Sequence, residues 1–448
     1  MLFKSNVFPM KAGTLSYTKL RLFVTIAWMF FGIFAFCLME FLPVLFPLPL
    51  KQYGSSNAYI GLLLGSIPAM LNFIVNPIVS SASDRTRTRF GRRMPFLMFA
   101  TPIVTVLLIL IGWSPELGTL LSKYLPAKIQ IATVIIVLLS ILITGFQVFN
   151  LFIASIFYYV APDILPHEVL GRFMSFWSVI AAGTGFLFNR YVLPLGRVHM
   201  NWVFTVLALF YFVAFMLVCF NVKEGQYPPP EKRKRKLYES FCAFFRECYS
   251  LRFYQFFFMV AAMNSVSVCC RNLFQIFFAE EDLGMDLGTY GRISSYGGIV
   301  TLILAFPIGL LVDRFHPIRI YMVGMITVIF VNLFGFFMVQ DTTSFFIFGL
   351  LLAVVYSLQT ISTLPLYAAV YPAKKYGQFS SAGAMANSVM LLIFSYLAGL
   401  FIDFIGDYRY IYIWDFVFTS IAMVGMVFVY RQWKKQGGAK DFRAPVFE

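Results

Sequence analysis

The chain has 448 residues, of which 60% are apolar and 12% charged, and 54 are phenylalanine. Soluble proteins carry roughly 25% charged residues, so there is too little polar surface to cover a water-soluble body of this size; this excludes a disordered or fibrous chain and argues against an ordinary soluble enzyme. The net charge of +15 would point to nucleic acid in a soluble protein, but here the placement of the charges decides otherwise.

A membrane-spanning helix needs about 20 apolar residues. In chain order, twelve segments meet this: 21–48, 58–82, 94–113, 128–160, 173–194, 201–222, 252–279, 289–312, 319–339, 344–371, 379–404 and 410–432. The fourth is longer than a bilayer requires, which predicts tilt or an extension beyond it. The opening residues contain Lys4, Lys11, Lys19 and Arg21. The apolar run beyond them is too long, and lacks the cleavage site, for a removable signal peptide to be expected. With the N-terminus placed inside, the inner segments hold 27 of the 35 Lys and Arg, the outer ones 7, and Arg271 lies within a span. This asymmetry predicts that both termini are cytoplasmic. The basic excess is then a topology signal and a contact for anionic lipid, with no nucleic-acid partner expected.

The stretch 223–252 is the one long polar break. It holds Pro228-Pro229-Pro230, the basic run Lys232–Lys236 and a short amphipathic segment. It reads as a cytoplasmic linker between a bundle at 1–222 and a second at 253–448, the basic run being a solvated face or a lipid-binding patch. An internal repeat supports two halves. Pro166-His-Glu-Val-Leu-Gly171-Arg172-Phe173-Met-Ser175 after the fourth span matches Pro372-Ala-Lys-Lys-Tyr-Gly377-Gln378-Phe379-Ser-Ser381 after the tenth. Ser80-x-x-x-Asp84-Arg85 after the second matches Gly309-x-x-x-Asp313-Arg314 after the eighth, at offsets of 206 and 229 residues. Parallel repeats of this kind imply bundles related by an axis along the membrane normal. The expected fold is an all-α membrane protein of twelve helices in two six-helix bundles.

The segment Asn76-Pro77-Ile-Val-Ser80-Ser-Ala-Ser83-Asp84-Arg85-Thr-Arg87-Thr-Arg89-Phe90-Gly91-Arg92-Arg93-Met-Pro95-Phe96 resembles the loop between the second and third helices of the major facilitator superfamily. Its expanded form is similar to the glycoside–pentoside–hexuronide and sucrose-type branch of sugar:cation symporters. So is Asn150…Tyr159-x-x-Pro162-Asp163-x-x-Pro166…Gly171-Arg172. In the loop itself, Gly91 relieves a tight turn and Pro95 suits a first helical turn, while the arginines can pair with Asp84 and with helix carbonyls. The resemblance implies a cytoplasmic gate in which Asp84, Arg85, Gly91, Arg92 and Arg93 latch the two bundles, with Asp313 and Arg314 as a second copy lacking the Gly-Arg-Arg part. Simple positive-inside anchoring is the alternative. Ser80 stands where the family usually has glycine, which would loosen the helix packing there.

A charge at the membrane centre costs about 2.5–3.5 kcal/mol even on lenient scales. Three charges lie inside spans away from their polar flanks: Glu40, Arg271 and Asp415. Glu40 precedes Gly54 by 14 residues and Arg271 precedes Gly284 by 13, so the two are expected at similar depth facing a central cavity, in functional roles or as a structural ion pair. Asp415 lies near a helix end and reads as an interfacial or packing residue. Asn264, Ser267, Arg271 and Gln275 follow one helical face. Gln147 and Asn150 do so in the fourth span, Asn72 and Asn76 in the second, Tyr356, Gln359 and Thr363 in the tenth, and Asn387 stands in the eleventh. Such faces line a cavity or join helices by hydrogen bonds. Amides, one cationic donor and aromatic faces from Tyr158, Trp177 and Tyr356 suit a sugar-like ligand.

Glu40 is the expected proton site, because a carboxyl in a low-dielectric site near a cation can exchange a proton near neutral pH. The resembled melibiose-type members use aspartates in helices 2 and 4 for sodium. Neither helix here carries a carboxylate before its cytoplasmic end, so sodium is the less expected ion. The acidic residue that sucrose-type members have in helix 4 is also missing. The expected function is alternating-access transport of a sugar, glycoside or similar polar solute, by proton symport, at the cell (inner) membrane. The alternatives are a drug or metabolite exporter of the same fold and a transport-inactive sensor. A channel finds no support in the two-repeat pattern. An enzyme would need paired carboxylates, a His cluster or a nucleophile with its base, and none stands out. The six cysteines and His167, His199 and His316 show no metal-ligand spacing, so neither metal nor cofactor is expected.

Overall fold

The computed structural model describes residues 10–12, 14–88, 90–126, 128–225, 244–442 and 444–445. Twelve of its helices are long and apolar enough to cross a membrane. They are α1 (Lys19–Gln52), α2 (Asn57–Asn76, continuing helically to Arg85), α3 (Met94–Gly112), α4 (Ile131–Ile164), α5 (Glu168–Leu195) and α6 (Met200–Asn221), then α7 (Arg252–Asp282), α8 (Leu287–Phe315), α9 (Pro317–Met338), α10 (Thr342–Val370), α11 (Ala373–Ile405) and α12 (Tyr408–Lys435). Many large apolar side chains, Phe306, Leu364, Phe404 and Val424 among them, stay exposed. Water would penalise these faces and hydrocarbon would not; the protein is an integral multi-pass membrane protein. The 34 residues of α4 run unbroken through Pro162, about 50 Å at 1.5 Å per residue, so the helix outreaches a 30 Å hydrocarbon core.

Helix packing divides the chain into two compact units: Met1–Ser55 with Ile74–Glu231, and Ser56–Phe73 with Lys232–Glu448. In the first, α1 packs on α5 and α6, and α3 on α4 and α6. The filling is aromatic: Phe36, Phe146, Phe157, Phe204 and Phe215 are fully buried. A short hairpin, β1 (Met10–Ala12) with β2 (Leu15–Tyr17), precedes α1. The Tyr17 hydroxyl donates to the Ile164 carbonyl at the end of α4 (2.8 Å), satisfying a terminal carbonyl that the helix cannot pair itself.

In the second unit α7 packs on α11 and α12, α9 on α10 and α12, and α8 on α10. Tyr254, Phe257, Phe258, Tyr371, Phe379 and Trp433 form its main apolar cluster. The short helix at 244–249 belongs to this body: Cys248 is buried in the cluster, the Tyr249 hydroxyl donates to the Ala382 carbonyl (2.7 Å), and Glu247 pairs with Lys375 (2.7 Å). The expected linker thus already carries structure of the second unit near its end. The Pro228–Pro230 and Lys232–Lys236 runs and Cys242 lie outside the described residues, and the other five cysteines are free and buried.

The N-terminal half of α2 joins the second unit, although the sequence repeat assigns that helix to the first bundle. The reason is local. Asp403 of α11 accepts from the Asn57 and Ala58 amides (2.9 and 2.7 Å), and the Tyr408 hydroxyl donates to Asn57 Oδ1 (2.9 Å). The carboxylate thereby caps free N–H groups at the positive end of the α2 dipole. Gly61 and Gly399 let the backbones meet: a Cβ on the first would overlap the Ser395 carbonyl, and on the second the Asn57 carbonyl. Small residues at contacts of this kind hold membrane helices together where the hydrophobic effect does not act.

Candidate functional site

In the second unit the polar face of α7 meets α8, α10 and α12. Arg271 Nε approaches Asp415 Oδ2 at 3.4 Å, and its guanidinium lies over the Tyr356 ring at 4.4 Å. The Tyr356 hydroxyl donates to Asp415 Oδ2 and the Thr419 hydroxyl to Asp415 Oδ1 (3.0 Å). One residue before Asp415, the Trp414 indole donates to the Val266 carbonyl (2.9 Å) and fixes α12 against α7 at this level. Asp415 is 0% exposed and Arg271 14%. A buried ion pair is strongly destabilised when one partner is removed, by about 3–5 kcal/mol, so Arg271 and Asp415 depend on each other.

Asp415 is therefore neither interfacial nor a simple packing residue. Distance to a helix end is a poor guide to a residue's surroundings; the Thr419 hydroxyl one turn later and the need for a counter-charge to Arg271 were the usable signals. Tyr356 has its ring face on Arg271 and its hydroxyl proton on Asp415, so it offers a ligand mainly an edge. Gln359 is buried, with its side chain against Gly324 of α9, away from this centre.

Arg271, Asn272, Gln275, Ser294, Gly297 and Tyr356 help to line a cavity of about 380 Å³ between α7, α8 and α10. That volume lies in the range of small-molecule sites. The guanidinium, two amides and a hydroxyl converge on it. Asn272 and Ser294 were not anticipated from sequence: Asn272 is off the spacing that groups Asn264, Ser267, Arg271 and Gln275, yet it faces the cavity. Asn264 lies two turns before Arg271 and does not line it; Asn387 stands on α11. The side-chain oxygens of both are buried without a hydrogen-bond partner among the described residues.

In the first unit the Asn150 amide hydrogen-bonds the Glu40 carboxylate, and Glu40 is exposed. Gln147 is half-buried on the preceding turn of α4. Tyr158 stacks on Trp177 at 5.3 Å and 14° between planes, and Phe36 meets both rings edge-on. Trp177 is 8% exposed and Tyr158 52%, so Trp177 supports the stack while Tyr158 presents a free face.

The loop before α3 is built around two carboxylates of the same unit. Arg92 forms a forked pair with Asp163 near the end of α4 (Nη2 to Oδ1 2.7 Å, Nε to Oδ2 3.2 Å). Arg93 pairs with Asp163 through Nε and lies over Tyr159 at 4.9 Å. Glu224, just after α6, accepts from the amides of Arg92, Arg93 and Met94 (2.8, 2.9 and 2.9 Å). A carboxylate on three consecutive amides at a helix start gains both charge-assisted bonds and the helix dipole. Gly91 adopts φ +111°, a left-handed conformation that favours glycine, and a Cβ there would strike Glu224. These contacts tie α3, α4 and the end of α6 within one unit. Asp163 was part of the recognised motif; Glu224 is missed because its side of the contact carries no motif. The side chains of Ser80, Asp84 and Arg85 lie outside the described residues. Asp313 and Arg314 have no ion-pair partner among the described residues; the Arg314 guanidinium sits over Phe315 at 5.4 Å, ahead of the turn where His316 adopts φ +76°.

Residues 50–428 match the family described as MFS/sugar transport protein. The chain belongs to this family. Its members are transporters, and the curated relatives it matches are permeases and transport proteins, not enzymes. It is 28% identical to a general alpha-glucoside permease of Schizosaccharomyces pombe over 209 residues, 43% of this chain and 34% of that protein. It is 34% identical to a sucrose transport protein of Oryza sativa subsp. indica over 68 residues, 15% of this chain and 12% of that protein. The chain thus spans about a third or less of the length of these relatives. Among solved structures, a bacterial homologue of the human lysosomal transporter Spinster, inward-facing and unoccupied, has a TM-score of 0.70 at 13% identity, covering 96% of this chain and 100% of that one. The nucleoside transporter NupG has a TM-score of 0.64 at 13% identity, covering 93% and 100%. At such identity these likenesses show the fold alone.

Proposed function

We propose that the protein is a secondary transporter that moves a sugar, glycoside or similar polar organic solute by alternating access, coupled to protons, with both termini in the cytoplasm and, in a bacterial host, in the inner membrane. The observation that carries this reading is the cavity headed by Arg271, in a chain whose family is that of sugar transport proteins. A guanidinium, the amides of Asn272 and Gln275 and the Ser294 hydroxyl supply donors and acceptors in the mix that vicinal hydroxyls need. A drug exporter would favour an apolar cavity, and this one is polar at its head. In the first unit, Tyr158 offers an aromatic face for a sugar ring, backed by Trp177. Glu40, partnered by the neutral Asn150 amide, is the group assigned to the proton; its carboxyl can gain or lose charge without breaking an ion pair.

A thermal-shift screen of purified protein against mono- and disaccharides, glycosides and uronic acids tests the reading. A stabilising sugar whose effect vanishes in Arg271→Ala supports it; a screen with no hit, or a hit indifferent to Arg271, contradicts it. For coupling, Glu40→Gln in proteoliposomes should retain exchange of substrate across the membrane and lose uphill accumulation. Unchanged accumulation removes the proton role from Glu40.

A further inference from the structure

Asp415 is held by donors only. Tyr356 and Thr419 give it their hydroxyl protons, and Arg271 Nε stands at 3.4 Å. Two hydroxyls and a guanidinium thus surround the Asp415 side chain. Asp415 is fully buried and contributes nothing to the cavity wall, whereas Arg271 and Tyr356 both do. The guanidinium is thus a layer between the cavity and a fixed negative charge. Trp414, bonded to the Val266 carbonyl, and Thr419, one turn on, keep that charge in place.

We infer that Asp415 sets the charge preference of this site: by neutralising Arg271 from behind the cavity wall it makes the pocket a receptor for uncharged sugars and turns away their uronic acid counterparts. This rests on the proposed sugar-binding role of the Arg271 cavity. The electrostatics are simple. Arg271 alone would present a full positive charge to a ligand, and a carboxylate would be its best partner. With Asp415 beside it the pair has no net charge. A ligand carboxylate would then be stripped of water near a site that already holds a carboxylate, and repulsion at low dielectric is severe. A neutral hydroxyl pair can still accept from the guanidinium, and Asn272 and Gln275 complement it with both donors and acceptors. A carboxylate has no use for their acceptor oxygens. Asp415 is a positioning and specificity residue that acts through Arg271.

The test compares matched pairs: glucose with glucuronate, galactose with galacturonate, and p-nitrophenyl α-glucoside with p-nitrophenyl α-glucuronide. Dissociation constants are measured on the purified full chain by calorimetry or thermal shift. The wild-type protein should prefer the neutral member of each bound pair by tenfold or more. Asp415→Asn should shift that ratio toward the uronate by at least tenfold, and Asp415→Glu should keep the wild-type preference, which a merely structural role would not predict. A wild-type protein that binds the uronate as well as the neutral sugar overturns the inference, whether or not Asp415→Asn can be recovered folded. So does a folded Asp415→Asn that retains the wild-type ratio or binds neither member. A wild-type protein that binds no member of any pair removes the sugar-binding reading itself, and the inference with it.

Discussion

The polar centres of the two units solve the same problem in different ways. In the second, Arg271 faces a buried counter-charge, and the Tyr356 and Thr419 hydroxyls both donate to Asp415. In the first, the Glu40 carboxylate meets a neutral amide, and the aromatic stack beside it leaves Tyr158 half in the open. One centre is an ion pair; the other is a carboxyl group beside a neutral amide.

The contrast is broken most severely at Asp415. Asp415→Ala leaves a buried guanidinium without compensation and should lower stability by about 3–5 kcal/mol, whereas Glu40→Gln should change it by less than about 1 kcal/mol, since amide replaces acid beside an amide. Detergent-solubilised unfolding curves of the two variants check this, and equal losses would erase the distinction. Joint replacement of Arg271 by Met and Asp415 by Leu should recover much of the stability while leaving sugar binding absent.

Next comes the junction that brings the start of α2 into the second unit. Gly399→Leu forces a side chain into the Asn57 backbone, and Gly61→Leu does the same at Ser395. Overpacking of this kind costs about 1–3 kcal/mol. Melting of either variant at the wild-type temperature would mean that α2 moves aside easily. Smaller again is the loop before α3: Glu224→Ala removes the acceptor for three amides and should cost about 1–2 kcal/mol, read as lower melting temperature in variant protein.

Much of this architecture was legible in the sequence, for reasons of length and cost. Apolar runs of about 20 residues have few meanings, so the twelve spans were readable. An arginine inside one has to be functional or paired, so Arg271 stood out. Its partner did not, because Asp415 lies near a helix end and only the packing of α12 on α7 through Trp414 and Val266 brings it to Arg271. The loop arginines were readable as a cluster and not as a set of contacts: Arg92 and Arg93 share Asp163 from the recognised motif, but Glu224 comes from a segment with no pattern of its own. The attachment of the α2 start to α11 depends on Asp403 and two glycines more than 330 residues apart, a separation no local pattern encodes. Asn272 was missed because helical spacing sorts residues by face, and a cavity between three helices draws on more than one face.

The aromatic stack sharpens the comparison at lower energy. Tyr158→Leu should weaken sugar binding three- to tenfold, within the range of about 0.5–1.5 kcal/mol for aromatic contacts, and leave stability unchanged because half the residue is exposed. Trp177→Leu should reduce both. Identical behaviour of the two would mean that neither ring meets the ligand. The smallest effect lies at the turn between α7 and α8. Asp286 caps α8, accepting from the Thr289 hydroxyl (2.7 Å) and amide (3.0 Å), and these bonds hold its carboxyl below the usual range. A lowered folded value means that the cap stabilises fully above the unfolded carboxyl's range and fades as pH falls through the folded one. The small gap in melting temperature between wild type and Asp286→Ala should therefore be present at pH 7 and close below about pH 4. A gap that persists in acid would assign it to packing.

The central claim is that Arg271, seated on Asp415, is where the transported solute is held. Counterflow of a labelled sugar in proteoliposomes tests it most directly, since it needs binding and movement but no ion gradient. The wild-type protein should show robust counterflow of a neutral sugar identified by binding, and folded Arg271→Gln none. Wild-type rates in Arg271→Gln would contradict it.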